Sequence, residues 1–256
     1  MPDCPHSHVR ASLDRWGECH WHLHQMEANY HDPDAFRYAL NSFIRAVKEV
    51  PIILRHDLQR HGAARKAIDT QLDKLMRNAL FQVLQKKRDF IVHHGVLALQ
   101  SKGAVYTMEG ATVKLTFPFP VAPWEPSDDA YERYKEVCRH DKFWRGIGPD
   151  CDSSPAIVRT WMIPQFAGRD LLEVAFEAWT LTGQVLSATV VALGGEPLDL
   201  ALLCRHEPAL VRMKRYSQKE FFMSVGGIDL DEEDRNFQAA RAHRQVEKKT
   251  GQPPAS

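Results

Sequence analysis

Phe36, Leu40, Phe43, Val47, Val50 and Leu54 recur at alternating gaps of four and three residues, and no other feature constrains the fold as tightly. At 3.6 residues per turn this spacing puts all six side chains on one stripe of a helix. A stripe that wide must be buried against other helices, so it commits the chain to a helical layer. The preceding His31-Asp32-Pro33-Asp34 reads as the helix start: Asp32 can accept from unpaired backbone N–H groups, and Pro33 suits the first helical position. Pro51 falls inside the pattern, where it removes a backbone donor and crowds the preceding turn, so a kink is expected there.

Further helices are predicted around this one. Residues 16–30 form a short first helix rich in aromatic and histidine side chains. Residues 65–94 read as one long third helix, with Ile68, Leu72, Leu75, Met76, Leu80, Val83, Leu84 and Ile91 as its apolar face and Gly95 as its stop. Residues 170–193 form a fourth helix, apolar around much of its circumference and therefore central. Glu109-Gly110 lies between two strand-like runs, 104–107 and 112–117, which predicts a hairpin inserted at about 103–120. Residues 118–168, rich in proline and glycine, read as an irregular connection with a helical stretch near 131–140. The resulting expectation is a mainly all-α fold: an antiparallel four-helix-type bundle with a small β-hairpin insertion. It occupies one domain over 1–228, followed by a charged, partly disordered tail over 229–256.

Lys plus Arg and Asp plus Glu number 33 each. The overall field is therefore neutral, and any RNA contact must be local. Five scattered cysteines without a Cys-x-x-Cys pair fit a reducing, cytoplasmic setting. No apolar run approaches the ~18 residues of a membrane span, so no membrane partner is expected.

One segment carries recognisable chemistry: Lys86-Lys87-Arg88-Asp89-Phe90-Ile91-Val92-His93-His94-Gly95. Histidine moves protons near neutral pH, and arginine presents a planar fork of donors to phosphate oxygens. Lys86 and Lys87 add local attraction for an RNA backbone. The segment resembles the motif of the HEPN superfamily, in which an arginine, a polar residue and, after four to six intervening positions, a histidine stand near the end of the third bundle helix. Arg88 matches the arginine, Asp89 the polar residue (often asparagine in the family), and His93 the histidine. His94 satisfies the spacing of five.

The resemblance implies a bundle of HEPN type and a metal-independent endoribonuclease with no cofactor. It implies a catalytic role for Arg88, Asp89 and His93, substrate binding by Lys86, Lys87 and His94, and products ending in a 2′,3′-cyclic phosphate and a 5′-hydroxyl. Residues five apart on a helix are turned by roughly 140° from each other, so one helix presents Arg88 and His93 together poorly. HEPN ribonucleases pair two protomers around a shared cleft, and the implied partners are therefore RNA and a second copy of the chain. An inhibitory or antitoxin-like partner fits such an activity. The same residues also suit a non-catalytic HEPN-like module that binds a nucleotide or a protein without turnover. More plainly, Lys-Lys-Arg-Asp can be a solvated face, with His93 and His94 near the negative end of the helix dipole.

Six of thirteen histidines fall within the first 31 residues. His20 and His24 lie one helical turn apart with Cys19 nearby, but no acidic or cysteine partner at a recognised spacing completes a ligand set. These histidines are read as packing and surface residues, and no metal site is assigned. Arg212-Met213-Lys214-Arg215-Tyr216 is read as a solvated helix face.

Overall fold

Asp32 starts its helix as expected. Its Oδ1 accepts from the N–H groups of Asp34 and Ala35, each at 3.0 Å, and Pro33 occupies the first position. The helix, α2, runs over Pro33–Asp57 and continues through Pro51. All six residues of the stripe are buried. These observations come from a computed structural model, which describes residues 4–109, 112–140, 154–166, 168–200, 204, 207–226 and 235. The acidic cluster 229–234 and nearly all of the predicted tail lie outside them.

The first helix, α1, spans Arg10–Ala28 and follows a 3-10 turn over Pro5–Val9, so it begins six residues earlier than the aromatic pattern suggested. The long third helix is in fact two, α3 over Gly62–Arg77 and α4 over Ala79–His94. Asn78 divides them. Its backbone is extended (φ −59°, ψ 134°), and its Oδ1 accepts from Leu80 N–H at 2.8 Å, which caps the new helix. Gly95, at φ +107°, ends α4.

The remaining elements are strand β1 over Gln100–Glu109, strand β2 over Thr112–Pro118 and helix α5 over Ser127–His140. Strand β3 over Ser154–Met162 and helix α6 over Leu171–Ala192 follow. Last come the one-turn helix α7 over Pro208–Val211, strand β4 over Met213–Arg215 and helix α8 over Gln218–Gly226. The predicted hairpin is present. β1 and β2 pair antiparallel from Ala104–Pro118 to Glu109–Thr112. They belong to a four-stranded sheet in the order β2-β1-β3-β4. β3 lies in the stretch read as irregular, and β4 in the stretch read as helix, so the sheet is larger than the sequence suggested. Lys214 on β4 reaches Asp128 at 2.7 Å, and Arg212, just before the strand, reaches Glu173 at 2.8 Å.

The chain falls into two compact units. One comprises residues 1–103, 120–127 and 159–213, the other 104–119, 128–158 and 214–256. In the first unit α6 packs on α1, α2, α3 and α4 and is central, as its apolar circumference required. Asp170 caps it while accepting from Tyr30 Oη–H, from Trp161 N–H at 3.1 Å and from Leu172 N–H at 2.9 Å. Burial pushes its carboxyl above the ordinary carboxylate value, although those bonds pull the other way. Arg159 is wholly buried as well. Its guanidinium donates to the carbonyls of Glu125 (2.6 Å) and Ala122 (2.8 Å) and to Ser101 Oγ (3.0 Å), and its centre sits 3.7 Å from the Trp161 ring centroid. Burial lowers its pKa to about 10. The second unit has an aromatic centre in which Tyr131 stacks on Tyr216 at 3.7 Å and Tyr134 packs between Phe119 and Phe221. No helix among the described residues is long and apolar enough to cross a membrane.

Candidate functional site

The motif segment forms the last turns of α4, within the first unit. Leu80, Phe81, Leu84 and Ile91 are buried and fix which way the helix faces. Helical phase puts Arg88 in line with Leu84 and Ile91, four and three positions away. Its stem therefore follows the buried side, and its side chain remains 38% exposed where the bundle ends. Asp89 is more open and accepts from Arg88 Nη1 at 3.1 Å.

His93 is exposed and turned by roughly 140° from Arg88 about the helix axis. One α4 therefore does not bring the predicted pair together on one face. Lys86 is exposed and Lys87 half-buried. His94 is the final residue of the helix, and its side chain lies outside the described part. Between and just beyond the polar residues stand Phe90, Val92 and Val96, which are 41%, 45% and 62% exposed. Of these, Val92 lies in helical phase between Arg88 and His93, so an exposed apolar side chain stands on the arc that joins the two polar ones.

Sequence reasoning missed Lys48. It is buried on α2 and donates to Gln85 Oε1 at 3.1 Å, one turn before Arg88. Burial holds its ammonium below the ordinary lysine value. The carboxylate of Asp89 acts against that shift, and the charge of Arg88 adds to it. A lysine inside an amphipathic stripe looks like an interruption of the pattern, and only the packing of α2 on α4 places it under the motif.

The N-terminal histidines divide by role. His31 is structural: its ring nitrogens meet Ser127 Oγ at 2.8 Å and the Val211 carbonyl at 3.0 Å. Cys19, the thiol nearest in sequence to His20, is buried and donates to the Arg15 carbonyl at 3.2 Å, and burial pushes its thiol far up. It cannot serve as a ligand beside His20. Among the described residues, Cys204 is the cysteine that reaches the histidines. The donor atoms of His20, His24 and Cys204 all lie within 4.8 Å of one another. His20 Nε2 and His24 Nε2 are 3.0 Å apart, and Cys204 Sγ is 3.8 Å from His24 Nε2. Burial and the neighbouring His24 both lower the pKa of His20. With 180 residues between Cys204 and His24, no spacing rule could have signalled the group.

Residues 2–110 are similar to a family described as bacteriophage lambda protein ea47. The match covers α1 to α4 and all of β1, and so includes Arg88, Asp89 and His93 as well as His20 and His24, but not Cys204. No curated protein and no solved structure matches the chain.

Proposed function

We propose that the tip of α4 is the RNA-cleaving site of a HEPN-type bundle and that two copies of the chain complete it. The observation that carries the reading is the pairing of chemistry with an uncovered surface. Arg88 and His93 reach solvent on the last turns of one helix, with exposed Phe90 and Val92 between them and Val96 beyond. A second α4 laid over the arc from Arg88 to His93 would remove from water Val92, which helical phase places between them. It would also bring the Arg88 of one copy towards the His93 of the other, which a single helix cannot do.

In such a cleft the ribose 2′-oxygen attacks phosphorus as its proton passes to an imidazole. The P–O5′ bond breaks, and the departing oxygen takes a proton from the second imidazole. The Arg88 guanidinium, steadied on one edge by Asp89, meets the charge that builds on the phosphate oxygens. Lys86 and Lys87 hold the flanking backbone.

The test incubates the full chain and a His93→Ala variant with mixed RNA in excess chelator. The expected outcome is wild-type cleavage leaving 2′,3′-cyclic phosphate and 5′-hydroxyl ends, with the variant slower by about 100-fold or more. Equal inactivity of both proteins defeats the reading. One observation favours a second reading, a binding module: the Arg88–Asp89 ion pair already neutralises the guanidinium within one chain. RNA or nucleotide retained intact by both proteins is its signature.

A further inference from the structure

We infer that His20, His24 and Cys204 form a zinc site that joins α1 to the chain following α6. The inference is independent of the reading of α4. Two imidazoles and one thiolate are a characteristic donor set for Zn²⁺, a borderline ion that takes nitrogen and sulfur in tetrahedral geometry. With Zn–N near 2.05 Å and Zn–S near 2.3 Å, a tetrahedral site needs edges of about 3.3 Å between nitrogens and about 3.6 Å between nitrogen and sulfur. The edges here are 3.0 Å and 3.8 Å, and the third is no longer than 4.8 Å. A side-chain adjustment of about 1 Å on the third edge therefore suffices.

The surroundings set the ligands up for a metal. Glu27 Oε2 lies 2.5 Å from His24 Nδ1. A carboxylate there keeps the proton on Nδ1 and leaves the Nε2 lone pair pointing at the other two donors, the carboxylate–histidine arrangement found behind metal ligands. The His20 ring stacks on Trp179 at 4.9 Å, and Trp179 in turn stacks on Trp16 at 4.7 Å, so a rigid aromatic wall fixes the orientation of His20. One turn of α1 separates the two histidines, which places both on the same face. His24 is 46% exposed, so the fourth position opens to solvent and suits a water molecule. Two nitrogens facing each other at 3.0 Å share at most one proton, and a cation between them replaces that contact with two bonds.

The test uses the untagged, reduced full chain, stripped with chelator and then titrated with Zn²⁺ against a chromophoric chelator. One equivalent should bind. Co²⁺ in its place should give the ligand-field absorption of a tetrahedral site together with a thiolate-to-cobalt charge-transfer band. Cys204→Ser should abolish that band and weaken Zn²⁺ affinity by more than about 100-fold, whereas Glu27→Gln, which alters only the group behind a ligand, should cost about 10- to 100-fold. Cys4→Ser should change nothing.

A second measurement needs no variant. Zn²⁺ should protect Cys204 from alkylation in peptide-resolved mass spectrometry, while exposed Cys4 continues to react. The inference is overturned by an octahedral Co²⁺ spectrum, by unchanged affinity in Cys204→Ser, or by Cys204 alkylation that is indifferent to Zn²⁺.

Discussion

Asp170 serves three donors with one carboxylate, and each donor comes from a different part of the chain: the Tyr30 hydroxyl after α1, the Trp161 amide on β3 and the Leu172 amide in the first turn of α6. Its place at the start of the fourth helix was legible from the sequence. The two remote donors were not, because nothing local records them. Removing the carboxylate forfeits a cap worth about 1 kcal/mol and leaves buried donors unsatisfied at about 1–3 kcal/mol. Asp170→Ala is therefore expected to lose about 2–4 kcal/mol in urea unfolding, and a loss below about 1 kcal/mol would show that the network is not what holds β3 to α6. The pH dependence has a definite sign. Burial raises the carboxyl pKa in the folded state, so the stability that Asp170 contributes is full below the ordinary carboxylate value and declines as pH rises through the raised one. The gap between wild type and variant should narrow across that window.

Helix α6 approaches α1 so closely that one residue position admits no side chain. A Cβ on Gly183 would lie 2.6 Å from Trp16 Cζ2 and 3.0 Å from Leu200 Cδ2. Trp16 cannot yield easily, since it stacks on Trp179 and its Nε1 donates to the Trp179 carbonyl at 3.0 Å. Although alanine is the better helix former by about 1 kcal/mol, Gly183→Ala should destabilise by about 1–3 kcal/mol through overpacking. Calorimetry that finds a raised melting temperature instead would refute this contact as the constraint. The start of α2 was readable because its stripe and the Asp32 cap agreed, and α6, read as 170–193, was readable from its long apolar run. The α3–α4 break was invisible because the apolar phase runs on across Asn78, and only its backbone angles and cap reveal the new start. β3 was missed for a different reason. Its inner face is Pro155, Ile157, Arg159 and Trp161, with Val158 and Thr160 only half-buried, so the apolar alternation is broken by the buried Arg159, where a charge ordinarily argues against a core strand. At the candidate site, the residues of the α4 tip were named from sequence, whereas Lys48 and Cys204 come to their places only by packing.

At the scale of the molecule, equal numbers of cationic and anionic residues leave no long-range field to gather copies or polyanions, so association must rest on surface fit. The apolar tip of α4 is where we place it. Val92→Glu, a change at a 45% exposed position, is expected to convert a dimer to a monomer in sedimentation or light scattering while leaving the circular dichroism spectrum unchanged. A wild-type protein that is already monomeric at high concentration would exclude the shared cleft. The central place of α6 has another consequence, for the chain as it is made. Helices α1 to α4 are complete at residue 94, but the helix that packs on all four ends at residue 192. At roughly 5–20 residues per second, a ribosome takes on the order of 5–20 s to deliver it. For that interval the nascent chain shows its unfilled apolar interior to the cell, and chaperone contact should peak there and fall once α6 leaves the exit tunnel.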